Sequence, residues 1–153
     1  MKREYAIIVR NKTRLETLIE RFNTKTQAQF YIESNGGRYE EYELEHERFY
    51  VSLNKVQSQL SKLVKNKLLD RSHLPNYLFS EKQFIVVVGQ DGLVANTAKY
   101  SNGLPIIAIN PDKSSYDGVL LLFDEENFVR AVQQVLKDDF DVQRCCVNFQ
   151  ENS

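Results

Sequence analysis

Three short runs constrain this chain more than any other feature: Tyr5-Ala6-Ile7-Ile8-Val9, Phe84–Val88 and the Leu104–Asn110 stretch. Each is apolar almost without a break and rich in β-branched residues, with no alternation of apolar and polar positions. A strand of that kind must be covered on both faces, which is the condition of a parallel sheet between helical layers. A helix start follows the first run directly. Thr13-Arg14-Leu15-Glu16 reads as a capping box, with Thr13 as cap and Glu16 reaching back, and Leu15, Leu18, Ile19 and Phe22 fall on one helical face. Strand and then capped helix is the first half of a βαβ unit. The expected fold is α/β, a Rossmann-like three-layer sandwich with a mainly parallel sheet, formed as one domain over residues 1–153.

The remaining chain supplies the other elements. Residues 23–37 are open, with Gln27 to Ile32 either strand or helix and Ser34-Asn35-Gly36-Gly37 a turn. Tyr39, Tyr42, His46, Phe49, Leu53, Val56, Leu60 and Leu63 then form an apolar seam at helical spacing, enough for about six to seven turns. Glutamates crowd its first half, and Lys55 and Lys62 stand near its end, as the helix dipole favours. The seam is expected to pack on the chain's own sheet, although a partner helix or a homo-oligomer could also use it. Lys67-Leu68-Leu69-Asp70 reads as a short strand and Leu93–Tyr100 as a short helix closed by Gly103, and Val119–Phe123 is apolar again. Asp124 is expected to cap a helix carrying Phe128, Val132, Val135 and Leu136 on its inner side, and Val142–Phe149 to finish as a strand.

Composition excludes several functions. The chain is 42% hydrophobic and 27% charged with a net charge of −1, so it has no basic excess for general nucleic-acid binding. No apolar run approaches the roughly 20 residues of a membrane span, and no signal-peptide core precedes Tyr5, so a cytoplasmic protein without membrane partners is expected. Cys145 and Cys146 are adjacent, which suits neither a disulfide between them nor a metal site. His46 on the seam reads as a packed, hydrogen-bonded histidine, and His73 as a loop residue without ligands at metal spacing. No metal-binding residues are assigned.

In parallel sheets ligands bind beyond the carboxyl ends of the strands, at a topological switch point. Two loops qualify, Gly89–Gly92 and Asn110–Asp117. In the first, Gly89-Gln90-Asp91-Gly92 puts one carboxylate between two glycines at the end of a buried strand. The glycines would permit unusual backbone conformations and close approach of a ligand, and the amides opening the next helix would face phosphate. Asp91 is then either a turn or cap residue, or a group that takes a proton from a hydroxyl or helps hold Mg²⁺.

Gly89-Gln90-Asp91-Gly92 after its valine-rich strand resembles the GGDGT motif of the NAD kinase family, shared more distantly by diacylglycerol and sphingosine kinases and phosphofructokinases. Pro105-Ile106-Ile107-Ala108-Ile109-Asn110, followed by Tyr116-Asp117-Gly118-Val119-Leu120, resembles that family's strand ending in Gly-Ile-Asn and the Gly-Phe-Leu beyond it. The resemblance is best over residues 84–136 and implies the N-terminal α/β domain of an NAD kinase. It implies phosphoryl transfer from ATP, or from polyphosphate in some members, to the 2′-hydroxyl of the adenosine ribose of NAD, giving NADP, with Mg²⁺ assisting and small-molecule nucleotides as partners. Asp91 would correspond to the catalytic aspartate, Gly89 and Gly92 to the phosphate-approaching glycines, and Asn110 to the nucleotide-binding asparagine.

The chain departs from the motif in three places: Gln90 for a glycine, Leu93 for the threonine and Ala108 for a glycine. The family's β-rich C-terminal domain, which holds much of the NAD, has no counterpart in residues 1–153. Two alternatives therefore stand beside the kinase reading. One is a non-catalytic nucleotide-binding module, or a truncated form without activity. The other is a kinase for a lipid or sugar hydroxyl.

Overall fold

The strand–helix alternation in the sequence becomes a doubly wound α/β sandwich. The structure is a computed structural model and describes residues 3–111, 123–124 and 127–137. The elements run in the order β1 (Tyr5–Arg10), α1 (Arg14–Phe22), α2 (Lys25–Ser34), α3 (Tyr39–Ser61), β2 (Lys65–Asp70), a 3₁₀ turn (Arg71–Asn76), β3 (Gln83–Val88), α4 (Asp91–Ala98), β4 (Ile106–Asn110), β5 (Phe123–Asp124) and α5 (Phe128–Leu136). The five strands pair in parallel in the order β2-β1-β3-β4-β5. After β1 the chain winds one way through three helices to β2, and then returns past β1 to build β3, β4 and β5 on the other side. The direction reverses between β1 and β3.

The continuous apolar runs explain the three layers. Ala6, Ile8, Phe84, Val86, Val88, Ile107 and Ile109 face one way and pack with Phe49, Leu53, Val56 and Leu60 of α3 and with Phe128, Val132 and Val135 of α5. The intervening residues Ile7, Val9, Ile85, Val87, Ile106 and Ala108 face the other way, against Leu93 and Val94 of α4 and Leu74 of the 3₁₀ turn. Every residue from Phe84 to Val88 is fully buried, as a strand covered on both sides requires. The seam of the long helix thus closes on the chain's own sheet. Its first turns diverge from that core: Tyr39 packs with Leu15 and Ile32, joining α3 to α1 and α2.

The ambiguous segment after residue 23 is helix α2, capped by the Thr24 hydroxyl, which accepts from the Gln27 amide. Helix α4 begins at Asp91, two residues before the expected Leu93, so Gly92 lies inside its first turn. Asp124 belongs to β5, and the cap position of α5 is Asn127, without a side-chain cap bond. Asp124 stands too far ahead of Phe128 to serve as the cap. Lysines at positions 65 and 67 stand exposed on β2, an edge strand among the described residues, where charge discourages pairing with another chain. The expected strand Val142–Phe149, the adjacent Cys145 and Cys146, and the Tyr116–Leu120 segment lie outside the described residues.

Candidate functional site

The register of the sheet lines up four chain exits. Arg10 pairs with Asp70 on one side and with Val88 on the other, and Val88 pairs with Ile109. Asn11, Arg71, Gly89 and Asn110 are therefore the next residues on adjacent strands, side by side along the carboxyl rim at intervals of about 4.8 Å. The switch point between β1 and β3 lies in this row, and a cleft of about 440 Å³ opens there. Residues 11–14 after β1 form one wall, Gly89, Gln90, Gly92 and Leu93 the other, with Arg71 and Glu45 at its margins.

The first wall is held by a compact polar network. Thr13 caps α1 through both halves of the box: its hydroxyl accepts from the Glu16 amide at 3.1 Å, and its own amide donates to Glu16 Oε1 at 3.0 Å. Arg10, at the end of β1, grips the same carboxylate with both terminal nitrogens at 3.1 Å. The Tyr50 hydroxyl from α3 donates to Glu16 Oε2 and receives Arg10 Nη1, both at 2.8 Å. Burial alone would raise the Glu16 carboxyl pKa, but the bonds from Arg10, the Thr13 amide and Tyr50 outweigh it and hold it below the usual value. The Tyr50 phenol is pushed up, by burial first and then by the neighbouring Glu16 carboxylate. His46 joins through its Nδ1, 2.8 Å from Thr13 Oγ1, so it is the packed, hydrogen-bonded histidine its place on the seam suggests. Arg14 turns outward and binds Glu45, with Nε at 3.1 Å and Nη2 at 2.7 Å from Oε2.

The opposite wall is the β3–α4 turn. Asp91 is the first residue of α4, where a carboxylate suits the positive end of the helix dipole. Neither Gly89 nor Gly92 has a positive φ, so the expected conformational freedom is not what these glycines provide. Space is what matters at both, in opposite senses. A Cβ on Gly89 would stand 2.8 Å from Leu93 Cδ2, so the glycine lets α4 pack tightly on the strand end. A Cβ on Gly92 would meet nothing within 4 Å, because that position faces the open cleft. Asn110 is buried at the end of β4, and the Gly89 amide donates to the neighbouring Ile109 carbonyl at 3.3 Å.

The structure therefore gathers Gly89, Asp91, Gly92 and Asn110 at one end of the sheet. Gly89 and Gly92 border the cleft directly, while Asp91 and Asn110 flank it. Sequence reasoning missed Lys12, Arg71 and the Arg10–Glu16–Tyr50 network. The only advance signal for them was that strand ends at a switch point carry ligand-facing residues. Among the described residues no group of three or more histidine, cysteine or acidic side chains forms a metal cage. The described residues therefore do not build a magnesium cage of their own. His73 lies exposed on the 3₁₀ turn. No described helix is long and apolar enough to cross a membrane.

Compared with known proteins, the chain matches no family model and no curated protein.

Proposed function

We propose that this chain is the nucleotide-binding α/β domain of an NAD kinase-like phosphotransferase, which uses ATP to phosphorylate the 2′-hydroxyl of the adenosine ribose of NAD. The observation that carries the reading is the cleft at the β1–β3 switch point, walled by the turn that contains the Gly89-Gln90-Asp91-Gly92 motif. Open space over Gly92 lets a phosphate reach the start of α4, where the helix dipole favours negative charge. Asp91 accepts the proton of the acceptor hydroxyl as that oxygen bonds to the γ-phosphorus and the bond to the ADP oxygen breaks. Such transfer depends on positioning and charge stabilisation more than on covalent chemistry by the protein. Asn110 and Gly89, on neighbouring strand ends, bound the same region.

The test is NADP formation from ATP and NAD by the protein and by Asp91→Asn. The substitution removes the base at nearly constant shape, and turnover should fall by about 10²–10⁴. Unchanged turnover would sink the assignment of Asp91.

A specific observation favours a second reading, a binding module without catalysis. Gly89, Gln90, Gly92 and Leu93 line the described cleft and Asp91 does not. Calorimetry with ATP, NAD and NADP separates the two: nucleotide binding without NADP formation selects the module.

A further inference from the structure

The groove along the carboxyl rim has two lobes. Beside the 440 Å³ cleft lies a second cavity of about 410 Å³, reaching over the end of β2 to Asp70, Ser72 and Asn96 of α4. Asn11, Lys12 and Arg71 border both. They form a waist between the lobes, and two of the three are cationic.

The fold fixes the waist. Asn11 and Arg71 leave the sheet side by side, because Arg10 and Asp70 are register partners. Asp70 then caps the 3₁₀ turn, its Oδ2 accepting from the Ser72 amide at 3.1 Å and the Ser72 hydroxyl at 2.7 Å. That cap anchors the backbone from which Arg71 projects. Glu45 and Asp70 are the carboxylates at the margins: Glu45 holds Arg14, while Asp70 bonds Ser72 through Oδ2 and leaves Oδ1 buried without a hydrogen-bond partner. Lys12 is paired with Glu20 in a bridge open to solvent, the kind that contributes little and exchanges readily. Arg71 is exposed and makes no hydrogen bond or ion pair with another described residue. An exposed guanidinium beside an ammonium, between two cavities, matches a chain of phosphates.

We infer that Arg71 and Lys12 anchor the polyphosphate chain of a ligand that lies across both lobes, with its phosphates on the waist. This rests on the reading of the groove as a nucleotide site and adds to it the two residues that select for phosphate. They lie on the β1 and β2 exits, apart from the glycine–aspartate turn. The same chemistry could be met by a nucleoside polyphosphate or by inorganic polyphosphate.

The experiment is isothermal titration of the full chain with ATP and with inorganic tripolyphosphate, using wild type, Arg71→Gln, Lys12→Gln and the control Lys99→Gln. Lys99 is exposed at the far end of α4, so its loss changes net charge equally without touching the waist. Arg71→Gln and Lys12→Gln should each weaken both ligands about ten-fold or more, the size of one lost charge-assisted phosphate contact. Lys99→Gln should stay within about two-fold. Tighter binding of ATP than of tripolyphosphate assigns the lobes to a nucleoside, and equal binding assigns the waist to the phosphate chain alone. If ATP binds wild type and Arg71→Gln equally, or if Lys99→Gln weakens it as much, the waist assignment is wrong and the cleft still holds a nucleotide. If neither ligand binds wild type, the nucleotide reading falls and the waist with it.

Discussion

Removing the Glu16 carboxylate tests how the cleft's first wall is held. In the fold this group receives two bonds from Arg10, one from Tyr50 and one from the Thr13 amide. The Arg10 and Glu16 side chains are only 14% and 19% exposed, so little water can replace what is lost. Charge-assisted bonds of this kind contribute about 1.5–3 kcal/mol each, but they share one carboxylate and do not add. The bond from the Thr13 amide is the half of the capping box that Glu16 supplies, and accounts for about 1 kcal/mol of the total. Arg10 keeps its bond to Tyr50, which softens the loss. Glu16→Ala should therefore cost about 3 kcal/mol in urea denaturation, below the 3–5 kcal/mol range's upper end for a fully buried broken pair. Glu16→Gln keeps an acceptor for the cap and should cost about half as much. The pH dependence follows from the direction of the shift. The folded carboxyl is held below its unfolded value of 4.5, so its contribution is complete above that value and disappears as pH falls through the folded pKa. The stability gap between wild type and Glu16→Gln should thus be constant near neutrality and close in acid. A cost below about 1 kcal/mol for Glu16→Ala, or a gap unchanged from neutral pH to pH 3, would refute the argument.

The two motif glycines should respond in opposite ways. Gly92→Ala replaces glycine in a helical turn with open space beside it, so thermal melts should show a gain of about 0.5–1 kcal/mol, while the new methyl in the cleft weakens ATP binding by calorimetry. Gly89→Ala pushes aside the terminal methyl of Leu93, a movable group, and should destabilise by about 1 kcal/mol in the same melts. On α3, Leu53→Ala should cost about 2–5 kcal/mol in urea denaturation, because Leu53 is 2% exposed against the sheet; Val51→Ala, at a 66% exposed position two residues earlier, should stay within about 0.5 kcal/mol.

The parts of this fold that were legible in the sequence are those whose cause is local. Phe84–Val88 had to be a doubly covered strand because its own composition allows nothing else, and Thr13 and Glu16 form their box within one turn. Helix α2 was ambiguous because it buries only Ala28 and Ile32, too little to write a period into ten residues. The start of α4 was misjudged because glycine weakens a helix reading, although Gly92 here serves the space beside it. The cleft was legible as a place, since a switch point follows from strand order, but its wall was not. Tyr50 meets Arg10 across 40 positions of chain, and Arg71 stands beside Asn11 only because β1 and β2 pair in one register.

The central strand gives the two walls different lifetimes. All six residues of β1 pair with β2 on one edge and with β3 on the other. No opening confined to a sheet edge can release it, so its amides should exchange with solvent only in near-global unfolding. Arg10 ends that strand and, through Glu16, ties residues 11–13 to it. Lys12 is thus carried by the part of the molecule that opens last. Arg71 follows β2, which is an edge strand among the described residues and can open alone, so one side of the waist should persist while the other comes and goes.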